Sequence, residues 1–514
     1  MSELDPAGLQ VLIGQLAGIA EVMGVILQRA SISPNIRERA DCSAALFTPA
    51  GELLAQAEHV PVHLGSMPAS VAAAIAAARR WDRPLDADDQ IVLNDPFAGG
   101  THINDVTVVA PCLVDGRLVG WVANRAHHAD VGGMAPGSIP PDATEAVQEG
   151  LRLPPVRLTP DVAAILAANS RTPEERAGDL DAQIGANRLG AVRLAALAGA
   201  PLSEVVDYGE RRMRAALAAV ADGSWVFSDV LDSAGAASIA VRVTKGGEAI
   251  TFDFTGSDRQ RRGNVNAVEA VTLSAVAWSL RSVTDPSIPA NGGALRPLKL
   301  IAPPGSIVAA VPPVAVGAGN VEVSQRVADV CLGALAQAVP GRVPAAGQGT
   351  MNNVMVGGSG WVYYETLGGG QGGRPPRPDG GPPQPGQSAI HTGMTNTRNT
   401  PIEALERTYP MRVLRYGLRQ GSGGAGRAPG GEGVIRDLQV LEDCTISLIT
   451  ERRVSQPWGL AGGGPGATGE NWLIPQNDER FARRLPAKCT LVVRAGDVIR
   501  LLTPGGGGWG TPPS

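Results

Sequence analysis

NDPFAGGTHINDVTVVAPCLVDGRLVGWVANRAHHADVGGMAPGSIPPDATEAVQEGLRLP, residues 94–154, concentrates the side chains that can bind a metal ion or transfer a proton. Five of the six histidines lie in this stretch or shortly before it: His59, His63, His102, His127 and His128. The sixth histidine, His391, lies far from them in the sequence. The stretch is therefore the first place to look for a functional site.

Two strands joined by a tight turn are predicted inside this stretch. Residues 106–113 alternate and are rich in valine, and residues 117–124 follow with a similar pattern. Asp115-Gly116 lies between them and is a strong signal for a two-residue hairpin turn. The sequence therefore predicts an antiparallel hairpin.

The register of this hairpin is expected to bring candidate metal ligands together at its open end. If the turn sets the pairing, opposed positions sum to about 231, so Asp105 faces Ala126 and His127 faces Asn104. Residues three apart on a strand point to opposite faces, so we expect His102 to lie in the preceding glycine loop and to fold back toward Asp105. Two imidazoles and a carboxylate suit zinc, manganese or ferrous iron better than calcium or magnesium. The alternative is a hairpin mouth lined by ordinary polar residues.

Other polar residues near the stretch are weaker candidates. From spacing alone, Asp41 is more readily a capping residue than a fourth ligand. His128 and Asp130 are predicted to support the ligands or to perform acid–base chemistry, with a solvated loop as the alternative. For His59 and His63 a structural role is favoured over metal binding.

Three further features have less specific interpretations. Asp142, Glu145 and Glu149 are predicted to be acids on the surface of a helix. The glycine run 417–433 is predicted to form tight turns, and the alternative is a cradle of backbone N–H groups for an anion. The Gly/Pro-rich loop 368–388 is long enough to suggest a functional or mobile segment.

The composition is that of a large globular protein. The chain has 514 residues and is 44% hydrophobic, so it can bury a sizeable core. A net charge of −5 argues against nucleic-acid binding. The five scattered cysteines predict reduced thiols in a cytoplasmic protein. Residues 9–27 are apolar, but Gln10, Gln15 and Glu21 interrupt the run, which argues against a signal peptide or membrane anchor. The apolar residues of this segment follow helical spacing, which predicts an amphipathic helix.

Helical and strand patterns are mixed along the chain, which predicts a mixed α/β (α+β) protein of several lobes. A strand is predicted at residues 301–311 and a helix from Val321. The predicted regions are an N-terminal metal-site region with the β-hairpin at 1–158, a helical segment at 159–224, a central α/β region containing the loop 368–388 at 225–410, and a glycine-rich, β-containing C-terminal region at 411–514.

Residues 94–154 closely resemble the B subunit of the hydantoinase/oxoprolinase family, and motifs along nearly the whole chain share the resemblance. These motifs are RADCSAALFTPAGELLAQAEHVPVHLGSM (39–67), GNVEVSQRVADV (319–330), GTMNNVMVGG (349–358), YYETLGGGQGG (363–373), MTNTRNTPIEALERTYPMRV (394–413), PWGLAGGGPG (457–466) and TPGGGGWG (503–510). The chain departs from the family pattern in reading GRAPGGEG within the glycine run and in the many prolines of 368–388.

The resemblance implies a reaction divided between two subunits. In the family, an actin-like ATPase A subunit or fused domain phosphorylates the carbonyl or enol oxygen of the substrate, and the B subunit completes the reaction. The outcome is hydrolysis of a cyclic amide in N-methylhydantoinases and 5-oxoprolinases, and carboxylation of a ketone in acetone and acetophenone carboxylases. We therefore expect a cytoplasmic B subunit of an ATP-dependent cyclic-amide hydrolase, acting in a hetero-oligomer. The alternatives are a ketone carboxylase subunit, which the chain length disfavours, and a non-catalytic scaffold for the ATPase.

The resemblance also implies a metal site. It would hold one divalent ion, zinc, manganese or iron, while ATP binds to the partner subunit. The ligands implied by matching motifs are Asp41, His102, Asp105 and His127. His128 or Asp130 is expected to carry a proton to the leaving nitrogen.

Overall fold

An antiparallel sheet, covered by a long N-terminal helix, carries the histidine-rich stretch. The computed structural model describes residues 5–57, 60–377 and 380–513, so the prediction for His59 lies outside the described residues. The helices and strands of this part are α1 (Pro6–Ala30), α2 (Pro34–Arg37), β1 (Cys42–Phe47), β2 (Leu53–Ala57), α3 (Ser66–Ala78), β3 (Ile91–Leu93), β4 (Asp105–Val114), β5 (Arg117–His127) and β6 (Val156–Arg157). Their sheet has the order β2-β1-β5-β4-β3-β6.

Helix α1 is the predicted amphipathic helix. The Asp5 carboxylate caps it by accepting a hydrogen bond from the Gly8 N–H at 2.7 Å. Its apolar face, which includes Leu16 and Met23, is buried against β1 and β2. Two segments, α1 and Pro61–Ala78, are long and apolar enough to cross a membrane. The packing of α1 on the sheet covers part of its apolar surface, and Val11, Val25 and Ile26 stay exposed.

The turn of the hairpin β4–β5 has the predicted form. Asp115 and Gly116 have φ angles of 49° and 73°, the left-handed conformation that a type I′ turn requires at both central positions. Next to the turn, Val114 faces Arg117, as the predicted register requires. The turn prediction is confirmed.

A β-bulge changes the register farther from the turn. The pairing shifts by one residue between Cys112 and Leu113, and Asp105 consequently faces His127. The predicted partner of Asp105, Ala126, is therefore wrong by one residue, because a bulge sets two residues of one strand against one of the other. The shift places the carboxylate and the imidazole directly opposite each other.

Helices and a second sheet form the middle of the chain. The elements are α4 (Pro160–Ala168), α5 (Pro173–Ala195), α6 (Leu202–Ala218), β7 (Gly223–Leu231), β8 (Ala237–Gly246), β9 (Ala249–Asp253), α7 (Glu269–Val283), α8 (Gly292–Leu295) and β10 (Leu298–Ile301). The sheet has the order β10-β9-β8-β7. The predicted strand at 301–311 is wrong beyond Ile301, because Pro303 and Pro304 follow and cannot donate to a strand ladder.

Two more sheets form the rest of the fold, which confirms the mixed α/β class. The elements are α9 (Ser324–Ala338), β11 (Asn353–Gly358), β12 (Trp361–Glu365), α10 (Ile402–Thr408), β13 (Met411–Arg419), β14 (Gly433–Val440), β15 (Cys444–Ile449), β16 (Glu470–Ile474), β17 (Arg483–Leu485), β18 (Lys488–Val493) and β19 (Val498–Leu502). The sheets have the orders β12-β11-β15-β18 and β13-β14-β19-β16-β17.

The glycine-rich segments of this part pack side by side. The Gly424 N–H donates to the Gly506 carbonyl at 2.8 Å, and the Gly506 N–H donates to the Gly431 carbonyl at 3.0 Å. A Cβ atom at Gly430 would lie 1.9 Å from the Gly506 carbonyl oxygen, so only glycine fits there. The prediction of tight turns is therefore wrong for much of the run 417–433, which begins in β13 and continues as backbone hydrogen-bonded to distant segments.

Candidate metal centre

His102, Asp105 and His127 converge at the open end of the hairpin. One possible ligand atom from each lies within 4.8 Å of the other two. Asp105 Oδ1 lies 3.2 Å from His102 Nε2 and 3.4 Å from His127 Nδ1. All three side chains are buried. The loop before β4 can fold back because Gly99 adopts a φ of 91°, which favours glycine.

The donor set of this cluster fits a divalent cation. Both ring nitrogens of His102 and Nε2 of His127 are buried without a hydrogen-bond partner in the described part of the chain. Burying a polar atom without a partner is costly, and a metal ion would supply the missing partner. Burial lowers the pKa of His127, which leaves the ring neutral and able to bind a metal.

The charge state of Asp105 also suits a ligand. Burial opposes its ionisation, but the neighbouring His102, His127 and His63 outweigh burial and hold the pKa of the carboxyl well below its usual range. The carboxylate is therefore ionised at neutral pH, as a metal ligand must be.

Asp41 lies beside the cluster, immediately before the neighbouring strand β1. Cys42 faces Ala126 across β1 and β5, and the His127 N–H donates to the Asp41 carbonyl at 3.0 Å. The charge of Asp41 favours the protonated form of His127. The compact group of ligand atoms comprises His102, Asp105 and His127 without Asp41, so a fourth ligand at this position stays a prediction.

Several groups hold the other oxygen of Asp105. The Thr101 hydroxyl donates to Oδ2, and the Asn320 side-chain amide lies 3.5 Å from it. His63 Nε2 also lies 3.5 Å from Oδ2, while His63 Nδ1 lies 2.9 Å from the Ser43 hydroxyl. Such contacts orient a carboxylate ligand. Nothing in the sequence spacing of His63 or Asn320 indicates this role.

A turn of π-helix brings a second carboxyl group toward the site. Gly319–Val323 forms this turn ahead of α9, where the sequence predicts the helix to begin. Such turns are frequent at functional sites. Glu322 in the turn is buried, and its Oε1 accepts hydrogen bonds from the Thr350 hydroxyl at 3.0 Å and the Asn353 amide at 2.8 Å. Its Oε2 has no partner in the described residues.

A chain of contacts joins Glu322 to the cluster. The His127 ring stacks on Tyr364 with centroids 4.5 Å apart. The Tyr364 hydroxyl donates to Asn353 Oδ1 at 3.0 Å, and the Asn353 amide donates to Glu322. Burial, and then the charge of Glu451, raise the pKa of Glu322 well above its usual range. A buried carboxyl group with a raised pKa is therefore linked to His127 through Asn353 and Tyr364, and the sequence does not point to it.

His128 and Asp130 lie immediately after the cluster and have other partners. His128 Nε2 lies 2.9 Å from Gln183 Oε1, and burial lowers the pKa of its ring to about 4. The Asp130 carboxylate accepts hydrogen bonds from the Gly137 N–H and from the backbone and guanidinium of Arg171. Neither belongs to the compact ligand group, and their role in proton transfer stays a prediction.

Glu149 is buried, so its predicted place on the surface of a helix is wrong. Its carboxyl group accepts hydrogen bonds from the N–H groups of Val316 and Gly317 at 3.1 and 2.7 Å. Burial raises the pKa of Glu149 to about 7. The residue connects the loop after the hairpin to the segment that leads into the π-helical turn.

A cavity of about 440 Å³ is lined by residues that lie near the contact residues of the cluster in the sequence, and not by the three ligands themselves. Its lining includes Pro61, two residues before His63, and Gln325, three residues after Glu322. His391 also lines it, and burial lowers the pKa of its ring to about 4. The cavity is large enough to hold a small organic molecule.

The sequence of this chain is similar to that of a known protein family. A family profile described as hydantoinase B/oxoprolinase matches residues 5–512. An uncharacterised protein of Methanocaldococcus jannaschii is 39% identical over 99% of this chain and 91% of its own length. 5-oxoprolinase 1 of Arabidopsis thaliana is 37% identical over 99% of this chain, which spans 42% of that protein.

A solved structure matches the fold along its full length. The crystal structure of an ATP-dependent caprolactamase from Pseudomonas jessenii has a TM-score of 0.90 and 28% identity, covering 100% of this chain and 93% of that chain. The hairpin, the π-helical turn and the cavity therefore lie in a fold that a lactam-cleaving enzyme also uses.

Proposed function

Because the chain belongs to the hydantoinase B/oxoprolinase family, we propose that it opens the ring of a cyclic amide that a partner ATPase has activated by phosphorylation. The observation that carries this proposal is the buried convergence of His102, Asp105 and His127. The whole-length likeness to an ATP-dependent caprolactamase supports the same reaction class. The chain spans about two fifths of the length of the 5-oxoprolinases that it matches. The ATPase is proposed to be an actin-like A subunit.

The ligand cluster is proposed to bind one divalent ion, zinc, manganese or iron. His102, Asp105 and His127 would hold it, with Asp41 as the fourth ligand. When bound, such an ion polarises a carbonyl group and lowers the pKa of coordinated water. The chain's own residues keep the donors fixed: Asp105 is held through its second oxygen, and His127 is held against the Tyr364 ring.

The proton for the leaving nitrogen is proposed to come from Glu322. Burial raises the pKa of its carboxyl group well above the usual range, which favours the protonated form, and its Oε2 has no competing partner in the described residues. His128 is the alternative donor, since its Nδ1 is also without a partner there. The Asp130 oxygens already accept several hydrogen bonds, which makes this residue less suited to the step.

The function is tested by mixing this chain with an actin-like ATPase of the same family and ATP. Caprolactam, 5-oxoproline and hydantoins are offered as substrates, with and without bicarbonate. We expect ring-opened product and ATP consumption without bicarbonate. Incorporation of bicarbonate carbon into a ketone would contradict the hydrolase and establish the carboxylase alternative.

A matched variant tests whether the chain is a scaffold. Replacing both His102 and His127 with alanine should abolish ring opening, because it removes two of the proposed ligands. Full ring opening by this variant would mean that the chain only supports its partner.

A further inference from the structure

A second cavity, of about 680 Å³, adjoins the first. Among the described residues that line it, four are arginines and one is an aspartate, which sum to a formal charge of +3, although the whole chain carries −5. The charged residues are Arg212, Arg342, Arg374, Arg377 and Asp285. This concentration of positive charge favours an anionic ligand.

The arginines of this cavity differ in their hydrogen-bond partners. Arg212 donates to Asp285 at 2.6 Å, so these two charges offset each other. The Arg342 guanidinium donates to the Val283 carbonyl at 3.2 Å, which fixes it without neutralising its charge. Arg374 Nε is buried without a hydrogen-bond partner in the part of the chain that the structure describes. Arg342 and Arg374 are therefore the groups best placed to bind an anion.

The Gly/Pro-rich loop forms one wall of this cavity. Arg374 and Gln384 pair through both backbone hydrogen bonds, at 2.9 and 3.1 Å, and so close the base of the loop. Pro375 and Pro376 follow Arg374 in the lining. Because proline restricts the backbone, the loop holds its arginine in place instead of leaving it on a flexible chain.

The two cavities are continuous. Ser282, Val283 and Pro344 line both. A molecule in the arginine-lined cavity can therefore reach the first cavity, which is lined by Pro61 and Gln325.

We propose that Arg342 and Arg374 bind a phosphoryl group, carried by the activated substrate on its way to the metal centre or released from it as inorganic phosphate. This inference rests on the proposed function, in which the partner subunit transfers phosphate to the ring oxygen. Arginine suits the ligand because its planar guanidinium donates two parallel hydrogen bonds to phosphate oxygens. The site would recognise the activated ring and leave the unphosphorylated ring unbound.

The test is calorimetric titration of the full chain with inorganic phosphate and with phenyl phosphate at low ionic strength. We expect Arg342→Gln and Arg374→Gln each to weaken binding roughly tenfold, because a charge-assisted hydrogen bond is lost. Arg480→Gln is the matched control, since this arginine is 82% exposed and absent from both cavity linings. Unchanged affinity in the Arg342→Gln/Arg374→Gln double variant, or no binding by the wild-type chain, would overturn the proposal.

The two titrants distinguish the source of the phosphoryl group. Tighter binding of phenyl phosphate assigns the site to the activated substrate, whereas tighter binding of inorganic phosphate assigns it to the released product. The titrations are repeated with the His102→Ala/His127→Ala variant, in which binding to a metal ion is removed. Loss of all phosphate binding in that variant would overturn the arginine site.

Turnover with the partner ATPase separates this inference from the proposed function. We expect the Arg342→Gln/Arg374→Gln double variant to raise KM for the activated substrate at least tenfold, with unchanged metal content. A wild-type chain that binds phosphate through these arginines but opens no cyclic amide would refute the proposed function and leave the site standing. Ring opening with an unchanged KM in the double variant would refute the phosphoryl site and leave the proposed function standing.

Discussion

Glu322 shows how much of the proposed chemistry depends on single buried side chains. Replacing it with glutamine keeps an oxygen for the hydrogen bonds from Thr350 and Asn353 but removes the acidic proton. We expect kcat for ring opening to fall by about 10² to 10⁴-fold, the usual contribution of a general acid. Metal content should not change. Wild-type kcat in the Glu322→Gln variant would exclude this residue as the proton donor.

Glu149 predicts a pH dependence of stability in the metal-free chain. Its pKa is raised from 4.5 to about 7 by burial, so the folded state favours the neutral carboxyl group. Its stabilisation is therefore complete below about pH 4.5 and is lost as pH rises to about 7, by about 3 kcal/mol at most.

Thermal unfolding of the chelator-treated chain between pH 4.5 and 8 measures this effect. Glu149→Gln should flatten the decline, because the amide does not ionise and keeps an oxygen for the Val316 and Gly317 N–H groups. An unchanged pH profile in this variant would contradict the buried neutral carboxyl group.

The sequence indicates the histidines of the candidate site but not the residues around them. His102, Asp105 and His127 are close in sequence and joined by one tight turn, so local rules bring them together. Glu149 and Glu322 take their positions from partners such as Gly317 and Thr350, which reach them through the tertiary fold. No local pattern encodes such contacts.

At the scale of secondary-structure elements, the hairpin shows that a turn sequence predicts strand register only as far as the first bulge. The Asp115-Gly116 turn fixes the register as far as the bulge, and the bulge then moves every pair by one position. An inserted residue in a strand carries no strong sequence signal, since Leu118 and Val119 are both typical strand residues. Helices α1, α4, α5 and α6 could be predicted, because their periodic apolar positions extend over several turns.

The packed glycine segments yield a prediction about stability. A Cβ atom at Gly430 would lie 1.9 Å from the Gly506 carbonyl oxygen, which the backbone cannot accommodate without moving. We expect Gly430→Ala to destabilise the chain by about 2 kcal/mol or more, as overpacking does. The measurement is the thermal unfolding midpoint.

Gly417→Ala is the control for this prediction. Gly417 lies in the exposed part of β13, and a Cβ atom there would meet nothing within 4 Å. Its unfolding midpoint should stay close to that of the wild-type chain. Equal midpoints for Gly430→Ala and Gly417→Ala would show that the backbone around Gly430 accommodates a methyl group.

At the scale of the whole molecule, the chain is expected to depend on a partner for ATP chemistry. No lysine follows a glycine in the sequence, so a GxxxxGK[ST] phosphate loop is excluded. We expect no ATP hydrolysis by this chain alone, and ATP hydrolysis coupled to ring opening when the ATPase is added. ATP hydrolysis coupled to ring opening by the isolated chain would contradict the proposal that the partner hydrolyses ATP.

The most direct test of the account is the metal content of the purified chain, measured by inductively coupled plasma mass spectrometry. We predict one equivalent of zinc, manganese or iron per chain, and less than about a tenth of that in the His102→Ala/His127→Ala variant, because it lacks two of three clustered ligands. His391→Ala should keep the metal, since His391 does not belong to the ligand group. A wild-type chain that binds none of these metals when each is supplied, or a double variant that keeps a full equivalent, would contradict the account.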